Sequence, residues 1–280
     1  MGEQVCKADM GGDGAAVVDT CGYPVETTGN AVLDILEHRS STRAFARDDN
    51  DRPVAVTDEQ RAAILHAASR APSAGAMMMY SIVSIREHAT LDRLADLCDH
   101  QPMIAKAPWA LIFVVDYAKW IDLFEHVGCF EPEFVGCTGK APRRAPGLGD
   151  FAIAAQDAVI AAQNAVVAAE ALGLGSCYIG DIVENAEEVA ALLDLPPYTM
   201  PLSMLIIGTP RKERPAIAHP VVNLVHEERY CRADDATMDA QVAEMDAMFR
   251  PHAHEVGERV VDIYTRKHAS PFMAEMSRSM

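Results

Sequence analysis

Residues 151–172, FAIAAQDAVIAAQNAVVAAEAL, form the feature that most constrains what this chain can fold into. The stretch consists mainly of alanine, valine and isoleucine, and polar residues interrupt it at helical spacing. The interrupting residues are Gln156, Asp157, Gln163, Asn164 and Glu170. The pattern predicts a long buried helix of a soluble protein, and the polar positions argue against a membrane span. Asp150 can cap its start, and Gly173 can end it.

Short apolar runs separated by helical patterns make up most of the remaining core. Runs of strand length lie at 80–85, 109–117, 176–180 and 202–208. Helical patterns occupy residues 30–39, 58–70, 90–98, 118–127 and 184–194, and Pro196, Pro197 and Pro201 are predicted to break the chain. This alternation predicts helices packed around a central sheet, in an α+β or α/β arrangement.

The net charge of the chain limits its partners. The sequence has 24 Lys and Arg against 41 Asp and Glu, a formal net charge of -17. Such a surface repels nucleic-acid phosphates and anionic membranes, so we expect neither as a partner. A bound phosphate would need a local cationic pocket, which makes any cluster of arginines informative.

The N-terminus and the cysteines favour a cytoplasmic protein. The first residues, MGEQVCKADMGGDG, lack the apolar core of a signal peptide. The seven cysteines include no C-x-x-C pair, so zinc ribbons and thioredoxin motifs have no support. Reduced thiols are expected, and a disulfide or metal role for Cys129 and Cys137 is the alternative.

Three regions differ in character. Residues 1–28, rich in Gly, Asp and Thr, predict a flexible extension, and residues 29–215 hold the core domain. Residues 216–280 contain two predicted helices, 236–248 and 254–267, with limited apolar stripes. Because such a tail cannot form its own core, we expect it to pack on the body or wrap a second subunit.

Arg39, Ser41 and Arg43 form the first candidate site. In an extended segment, alternate residues project to one side, so two cations and a hydroxyl converge. This set fits a phosphate or an electron-rich ring edge, and the alternative is a solvated helix C-terminus. Arg211 and Lys212 follow a predicted strand, where they either meet an anion or are ordinary surface charges.

Two glycine-containing segments fail the motifs that they approach. Residues 71–76, APSAGA, lack the first glycine of a nucleophile elbow and follow a helix, which excludes a serine hydrolase. Residues 173–181, GLGSCYIGD, have the wrong spacing for a dinucleotide fingerprint. Residues 71–76 are instead predicted to form a small-residue turn that a flat ligand can approach closely. In the second segment, Gly180 and Asp181 are predicted to form a corner with exposed backbone N–H groups. His252-x-His254 has no third ligand nearby, so no metal site is expected.

In their order, these segments resemble the nitroreductase family. The family's Arg-x-Ser-x-Arg/Lys-x-Phe segment is matched by residues 39–45, and its Pro-Ser turn by residues 71–76. An Ala-Pro strand at 107–116, the long helix, a Gly-Leu-Gly-Ser to Ile-Gly segment at 173–180 and a Leu-Pro to Gly-x-Pro stretch at 192–210 complete the pattern. The specificity of the resemblance lies in the order and spacing of these segments.

The resemblance implies an α+β fold in which helices surround a central mixed sheet. It also implies a homodimer with one FMN per subunit at the interface, and a C-terminal arm that wraps the partner. By the same resemblance, Arg39 and Ser41 hold the FMN phosphate with Arg211 and Lys212, and Arg43 approaches N1 and O2 of the flavin.

The remaining implied contacts come from two backbone segments. Gly180 and Asp181 would face N5 and O4 of the flavin, and residues 72–76 would contact the flavin of the other subunit. The full implied cofactor-binding set is Arg39, Ser40, Ser41, Arg43, Pro72, Ser73, Ala74, Gly75, Ala76, Met78, Tyr178, Ile179, Gly180, Asp181, Gly208, Arg211 and Lys212.

The sequence also departs from the family pattern. Family members usually have Asn at the position of Ala76, and often Gln-Pro-Trp where this chain has Met78, Met79 and Tyr80. Losing the Asn removes one polar anchor for the flavin, at about 1 kcal/mol. The loop at 128–149 is long, and we expect it to be a lid over the active site.

The resemblance implies an FMN oxidoreductase that uses NAD(P)H in a ping-pong cycle to reduce a small electrophile. Nitroaromatics, quinones and activated alkenes are all plausible acceptors. No catalytic side chain is expected, because the flavin carries the chemistry. The alternatives are a reductive dehalogenase-like flavoenzyme and a flavin-binding protein without turnover.

Overall fold

The computed structural model describes residues 29–134, 143–212, 223–249 and 255–280, with two short strands nearer the N-terminus. These strands, β1 (Val17–Val18) and β2 (Pro24–Val25), pair in antiparallel fashion. The predicted flexibility of residues 1–28 and the division into three regions stay predictions.

An antiparallel sheet of four strands forms the centre of the fold. The strands are β3 (Tyr80–Ile85), β4 (Trp109–Asp116), β5 (Gly175–Ile179) and β6 (Thr199–Gly208). Their order is β3-β4-β6-β5, so β3 and β5 are the two edges. All three pairings are antiparallel. We expected a mixed sheet. Among the described residues, the one parallel pairing is an isolated bridge between Ser41 and Ser176, beside β5.

Helices cover both faces of this sheet, which confirms the α+β class. They are α1 (Ala31–His38), α2 (Asp58–Ser69), α3 (His88–Leu97), α4 (Pro102–Ala105), α5 (Ala118–His126), α6 (Leu148–Ala171), α7 (Ala186–Leu192), α8 (Asp235–Phe249), α9 (Glu258–Ile263) and α10 (Pro271–Ser279). Short 3-10 turns at Ala74–Ala76 and Gly180–Val183 precede β3 and follow β5.

Alternation along β4 divides the core into two layers. Every residue of β4 is buried, as its apolar sequence predicted. Ala110, Ile112 and Val114 pack with α3 and α7, whereas Leu111 and Phe113 pack with α2 and α6. The period-2 geometry of a strand sends successive side chains to opposite faces, so a central strand must be apolar throughout.

The start of α6 differs from the prediction. The helix begins at Leu148, with Gly147 as its N-cap. Asp150 is the third helical residue, and its carboxylate accepts a hydrogen bond from the Gly147 N–H at 2.8 Å and two from Arg144 at 2.6 and 2.8 Å. These contacts, chiefly those from Arg144, hold the pKa of Asp150 well below its usual range.

The helix α6 is long and apolar enough to cross a membrane by length and composition alone. The inner side of this helix packs on the sheet through alanines such as Ala158, Ala162 and Ala165. Its outer side leaves Val159 and Ile160 exposed. Core helices of soluble proteins have the same composition, so this property is weak evidence for a membrane span.

Pro201 does not break the chain but lies inside β6. The register between β4 and β6 shifts between Phe113 and Val114, so that Ser203 pairs with Phe113 and Pro201 with Val114. A proline lacks the N–H that a regular ladder needs, and a β-bulge is one of the places in a sheet that accept it.

The C-terminal region packs in two ways. In α8 and α9, the Asp246 carboxylate accepts a hydrogen bond from the Arg259 N–H at 2.9 Å, and the Arg259 guanidinium lies 4.8 Å from the Phe249 ring. The helix α10, absent from the predicted elements, docks on its own subunit: Arg278 pairs with Glu187 at 2.7 Å. The helix α10 therefore packs on its own chain, and the wrapping of a partner by the C-terminal region stays a prediction.

Candidate functional site

The segment from Arg39 to Arg47 runs past the ends of two strands. The Thr42 N–H donates to the Ser176 carbonyl at 2.8 Å, which ties the segment to β5. The Ala46 N–H donates to the Thr209 carbonyl at 2.8 Å, and the Arg211 N–H donates to the Ala44 carbonyl at 3.0 Å. The backbone therefore brings the two predicted cationic segments together.

Side chains alternate along this segment as predicted. Ser40 and Thr42 are buried, at 6% and 1% exposure, while Arg39, Ser41 and Arg43 are on the solvent side. Ser40 was predicted as a cofactor ligand, and this role stays a prediction. Its neighbours form one row of two guanidiniums and one hydroxyl.

A cleft of about 690 Å³ opens at the Arg43 end of this row. Its cations are Arg43, Arg47, Lys106 and Arg211, and its one carboxylate is that of Asp51. We name it the cationic cleft. Sequence reasoning missed Lys106 because it lies 63 residues from Arg43 and 105 residues from Arg211, at the C-cap of a short helix.

Most of these cations have no carboxylate partner in the part of the chain that the structure describes. Arg47 pairs with the largely exposed Asp51 at 3.3 Å. No ion pair within 4.0 Å joins Arg39, Arg43 or Lys106 to a carboxylate among the described residues. In a chain of net charge -17, such cations indicate a site for an anion from solution.

Tyr178 and Ile179 lead from this row to the end of β5. Burial raises the pKa of the Tyr178 phenol to about 12, although the charge of Arg39 acts in the opposite direction. Arg39 therefore lies near enough to Tyr178 for its charge to act on the phenol. The Ile179 side chain is 2% exposed and packs in the core, so a ligand could meet only its backbone.

Gly208 has a packing reason to be glycine. A Cβ there would lie 2.6 Å from Cγ of Pro108 and 2.8 Å from Cδ1 of Phe45, closer than real Cβ atoms approach. The residue is buried in the subunit, and its predicted contact with the cofactor stays a prediction. Arg211 and Lys212 beyond it are exposed.

Gly180 is different, because the described residues give no steric reason for a glycine there. The residue is exposed, its φ is not positive, and a Cβ there would meet nothing within 4 Å. The carboxylate of the adjacent Asp181 accepts a hydrogen bond from the Gln101 amide, which fixes the corner on α4. The Gly180 corner is thus a rigid backbone edge facing open space.

The Pro-Ser turn presents small exposed residues at the other edge of the sheet. Pro72, Ala74, Gly75, Ala76 and Met78 are all exposed, as a surface for a flat ligand requires. Ser73 is half-buried, and its hydroxyl oxygen accepts a hydrogen bond from the Met78 N–H at 3.2 Å.

Asp157 holds this turn from α6. Its carboxylate, 2% exposed, accepts hydrogen bonds from the Ala74 N–H at 2.9 Å and from the Met79 N–H at 3.3 Å. Sequence reasoning noted Asp157 only as a polar interruption of an apolar helix. A lone carboxylate on a buried helix face is the signal that would have identified it.

The two halves of the predicted site lie apart within one subunit. The Pro-Ser turn leads into β3, whereas the cationic row and the Gly180 corner border β5. Three strand spacings separate these edges, about 14 Å. None of residues 72–76 lines the cationic cleft.

A second cavity, of about 530 Å³, lies at the opposite end of the sheet. It is mostly apolar, and its lining includes Tyr117, Phe151 and Met200. Pro146 and Gly147 from the predicted lid border it. The centre of that loop, with Cys137, lies outside the described residues, as does His252-x-His254.

Comparison with known proteins gives a consistent set of relatives. A family model described as Nitroreductase family matches residues 36–209. FMN reductase (NAD(P)H) of Bacillus subtilis strain 168 is 32% identical over 215 residues, which is 76% of this chain and 79% of that protein. Oxygen-insensitive NADPH nitroreductase of Salmonella typhimurium is 32% identical over 218 residues, covering 76% of this chain and 81% of that protein.

Solved structures share the fold over most of this chain. The structure of NfrA2 from B. megaterium superposes with a TM-score of 0.71 at 27% identity, covering 89% of this chain and 97% of that one. The NADPH:FMN oxidoreductase of Vibrio harveyi complexed with NAD+ gives a TM-score of 0.67 at 25% identity, covering 88% and 98%.

Proposed function

This chain belongs to the nitroreductase family and is an FMN-dependent NAD(P)H oxidoreductase, and we propose that it reduces a small electrophile in a ping-pong cycle. Nitroaromatics, quinones and activated alkenes are the proposed acceptors. FMN supplies the electron-transfer chemistry when bound, and the protein contributes binding, orientation and exclusion of water. No catalytic side chain is assigned.

The observation that carries this proposal is the row of Arg39, Ser41 and Arg43 beside the exposed Arg211. Two guanidiniums and a hydroxyl on one side of an extended segment match a phosphate in charge and in donor geometry. We assign Arg39, Ser41, Arg211 and Lys212 to the FMN phosphate, and Arg43 to the pyrimidine edge of the flavin.

The backbone around the site fits a flat ring system. The open space over Gly180 leaves room for a ring against its N–H, because no atom of the described residues lies within 4 Å of a Cβ placed there. The Asp181 side chain is engaged with Gln101, so we assign the flavin contact at this corner to backbone atoms.

We propose a homodimer, because one subunit does not complete the site. The Pro-Ser turn of one subunit would supply its small-residue surface to the flavin held by the other. Exposed apolar side chains on α1 and α6 offer an interface: Val32 and Leu33 on α1, Val159 and Ile160 on α6. Sedimentation equilibrium at the mass of one chain would contradict the proposal.

An absorbance spectrum of the purified protein, before and after anaerobic NADH or NADPH, tests the function. We expect a visible flavin absorbance that is bleached by the nucleotide and restored by a nitroaromatic or quinone. Flavin that does not bleach would favour a binding protein without turnover, and halide release from halogenated phenols would favour the dehalogenase alternative. A protein that cannot be reconstituted with FMN would overturn the proposal. We place the enzyme in the cytoplasm.

Replacing Ala76 by asparagine should stabilise the protein and tighten FMN binding. Ala76 has a φ of 57°, a left-handed conformation that asparagine adopts more readily than alanine. We expect about 0.5–1 kcal/mol of added stability, and about five-fold tighter FMN from the restored amide. Urea unfolding and FMN titration measure both.

Ala74→Asn is the matched control for this variant, because Ala74 lies in the same turn without a positive φ. An equal gain in stability from both variants would contradict the explanation based on backbone conformation.

A further inference from the structure

The Pro-Ser turn has a strained backbone at its centre. Gly75, Ala76 and Met78 have positive φ angles of 57°, 57° and 48°. Alanine and methionine rarely adopt this left-handed conformation, because Cβ crowds the backbone there. Such conformations persist only where surrounding contacts hold them, and they cluster at ligand-binding sites. The contacts that hold this turn therefore bear on its function.

Trp120 on α5 holds the centre of the turn. Its indole N–H donates a hydrogen bond to the Met77 carbonyl at 2.9 Å. This carbonyl belongs to the planar peptide unit that joins Met77 to Met78, so the bond restricts rotation about φ of Met78. The N–H of the same peptide unit donates to the Ser73 hydroxyl within the turn. The bond from Trp120 thus attaches this strained peptide to a helix of the body.

Asp157 restrains a different part of the turn. From α6, its carboxylate accepts hydrogen bonds from the N–H groups of Ala74 and Met79, which lie at the two ends of the strained stretch. Loss of the Trp120 donor would therefore release the centre of the turn while Asp157 still holds its ends.

Neighbouring side chains hold the indole in its orientation. The Trp120 ring is half-buried, and its centroid lies 5.6 Å from that of Phe124. The Phe124 ring in turn meets that of Phe130 edge to face at 6.1 Å, and the Arg143 guanidinium lies 5.3 Å from the Phe130 ring. Aromatic pairs at such distances attract each other beyond their packing, so the indole N–H stays directed at the turn.

We propose that Trp120 is a positioning residue for the flavin: it fixes the Pro-Ser turn of one subunit in the shape that meets the flavin ring bound by the other. This inference rests on the proposed function, in which residues 72–76 contact the partner's flavin. Trp120 itself does not touch the flavin and acts through the peptide between Met77 and Met78. A turn that leaves this shape for part of the time binds the flavin more weakly, in proportion to the fraction lost.

The test compares Trp120→Phe with the wild type in flavin titrations of the apoprotein. Phenylalanine keeps a ring against Phe124 but has no N–H. We expect the dissociation constants of FMN and of riboflavin both to rise about five-fold, since one hydrogen bond is lost and the turn meets the ring that the two ligands share. The visible circular dichroism of the bound flavin should also change, because it reports the surroundings of the ring.

The other of the two tryptophans provides matched controls. The indole N–H of Trp109, a core residue of β4, donates to the Ser84 hydroxyl at 2.8 Å. Trp109→Phe repeats the substitution there, and Ser84→Ala removes the same hydrogen bond with the ring in place, which keeps the core filled. We expect both controls to lower the free energy of unfolding in urea, to change the two dissociation constants less than about two-fold, and to leave the flavin dichroism unchanged.

Three results would overturn the inference. The first is an equal weakening of flavin binding by Trp120→Phe and the controls at equal loss of stability, and the second is no weakening in Trp120→Phe. The third is a loss of FMN affinity without a loss of riboflavin affinity, because Trp120 would then act on the phosphate and not on the ring. The proposed function fails separately, if neither NADH nor NADPH bleaches the flavin of the wild type.

Discussion

Replacing Arg39 by alanine is expected to weaken FMN binding about thirty-fold while leaving riboflavin binding nearly unchanged. Riboflavin lacks the phosphate, so its binding does not depend on a cation that serves the phosphate. A hydrogen bond to a charged group contributes about 2 kcal/mol, which corresponds to this factor. Arg39 is half-buried beside Tyr178, which reduces screening by water. Quenching of flavin fluorescence on titration into the apoprotein measures both constants.

Two further variants sharpen this experiment. Arg39→Lys retains the charge but not the two-pronged geometry of the guanidinium, so we expect an intermediate loss of FMN affinity. Arg93→Ala removes an exposed arginine away from the site and should leave both ligands unaffected. If Arg39→Ala weakened riboflavin as much as FMN, Arg39 would contact the ring or support the fold rather than bind the phosphate.

The secondary structure of the core could be predicted because its apolar pattern is strong. The four strands and the helices α1, α2, α3, α5, α6 and α7 all lie where the periodicity placed them, within a few residues. In contrast, Pro201 was predicted to break the chain. It is tolerated because β6 has a bulge at Leu202, which is visible only in the pairing of β6 with β4. A contact between distant strands leaves no signal in the local pattern.

The helix α10 shows a second limit of sequence reasoning. Its fixed position depends on contacts with residues far away in the chain: Arg278 pairs with Glu187, and the Ser279 hydroxyl donates to the Val183 carbonyl. Met276 packs against the core between them. Nothing within residues 271–279 alone predicts these partners.

The candidate site was predictable where it lies in one segment and not where it is assembled from several. Arg39, Ser41 and Arg43 follow from the alternation of an extended chain, which the structure confirms. Lys106 joins Arg43 and Arg211 only because α4 ends beside the end of β6. Asp157 escaped notice because a polar residue in a helix is usually on its solvent side.

Replacing Asp157 by alanine is expected to lower the free energy of unfolding by about 3 kcal/mol. The substitution leaves two backbone N–H groups, those of Ala74 and Met79, without their acceptor. An unsatisfied buried donor costs about 1–3 kcal/mol, and the Met79 donor is in buried surroundings. Urea unfolding followed by circular dichroism measures the loss.

The same variant should lose function beyond its loss of stability, because Asp157 fixes the turn that contacts the partner's flavin in our proposal. We expect FMN bound to folded Asp157→Ala to be held less tightly and to exchange faster than in the wild type. Asp157→Asn keeps one acceptor oxygen and should fall between the two. Asn164→Ala is the control, since it removes one side-chain hydrogen bond, to the Ala67 carbonyl at 3.1 Å, from the same helix without touching the turn. If Asn164→Ala reduced FMN retention as much as Asp157→Ala at equal loss of stability, Asp157 would support α6 in general and not the Pro-Ser turn.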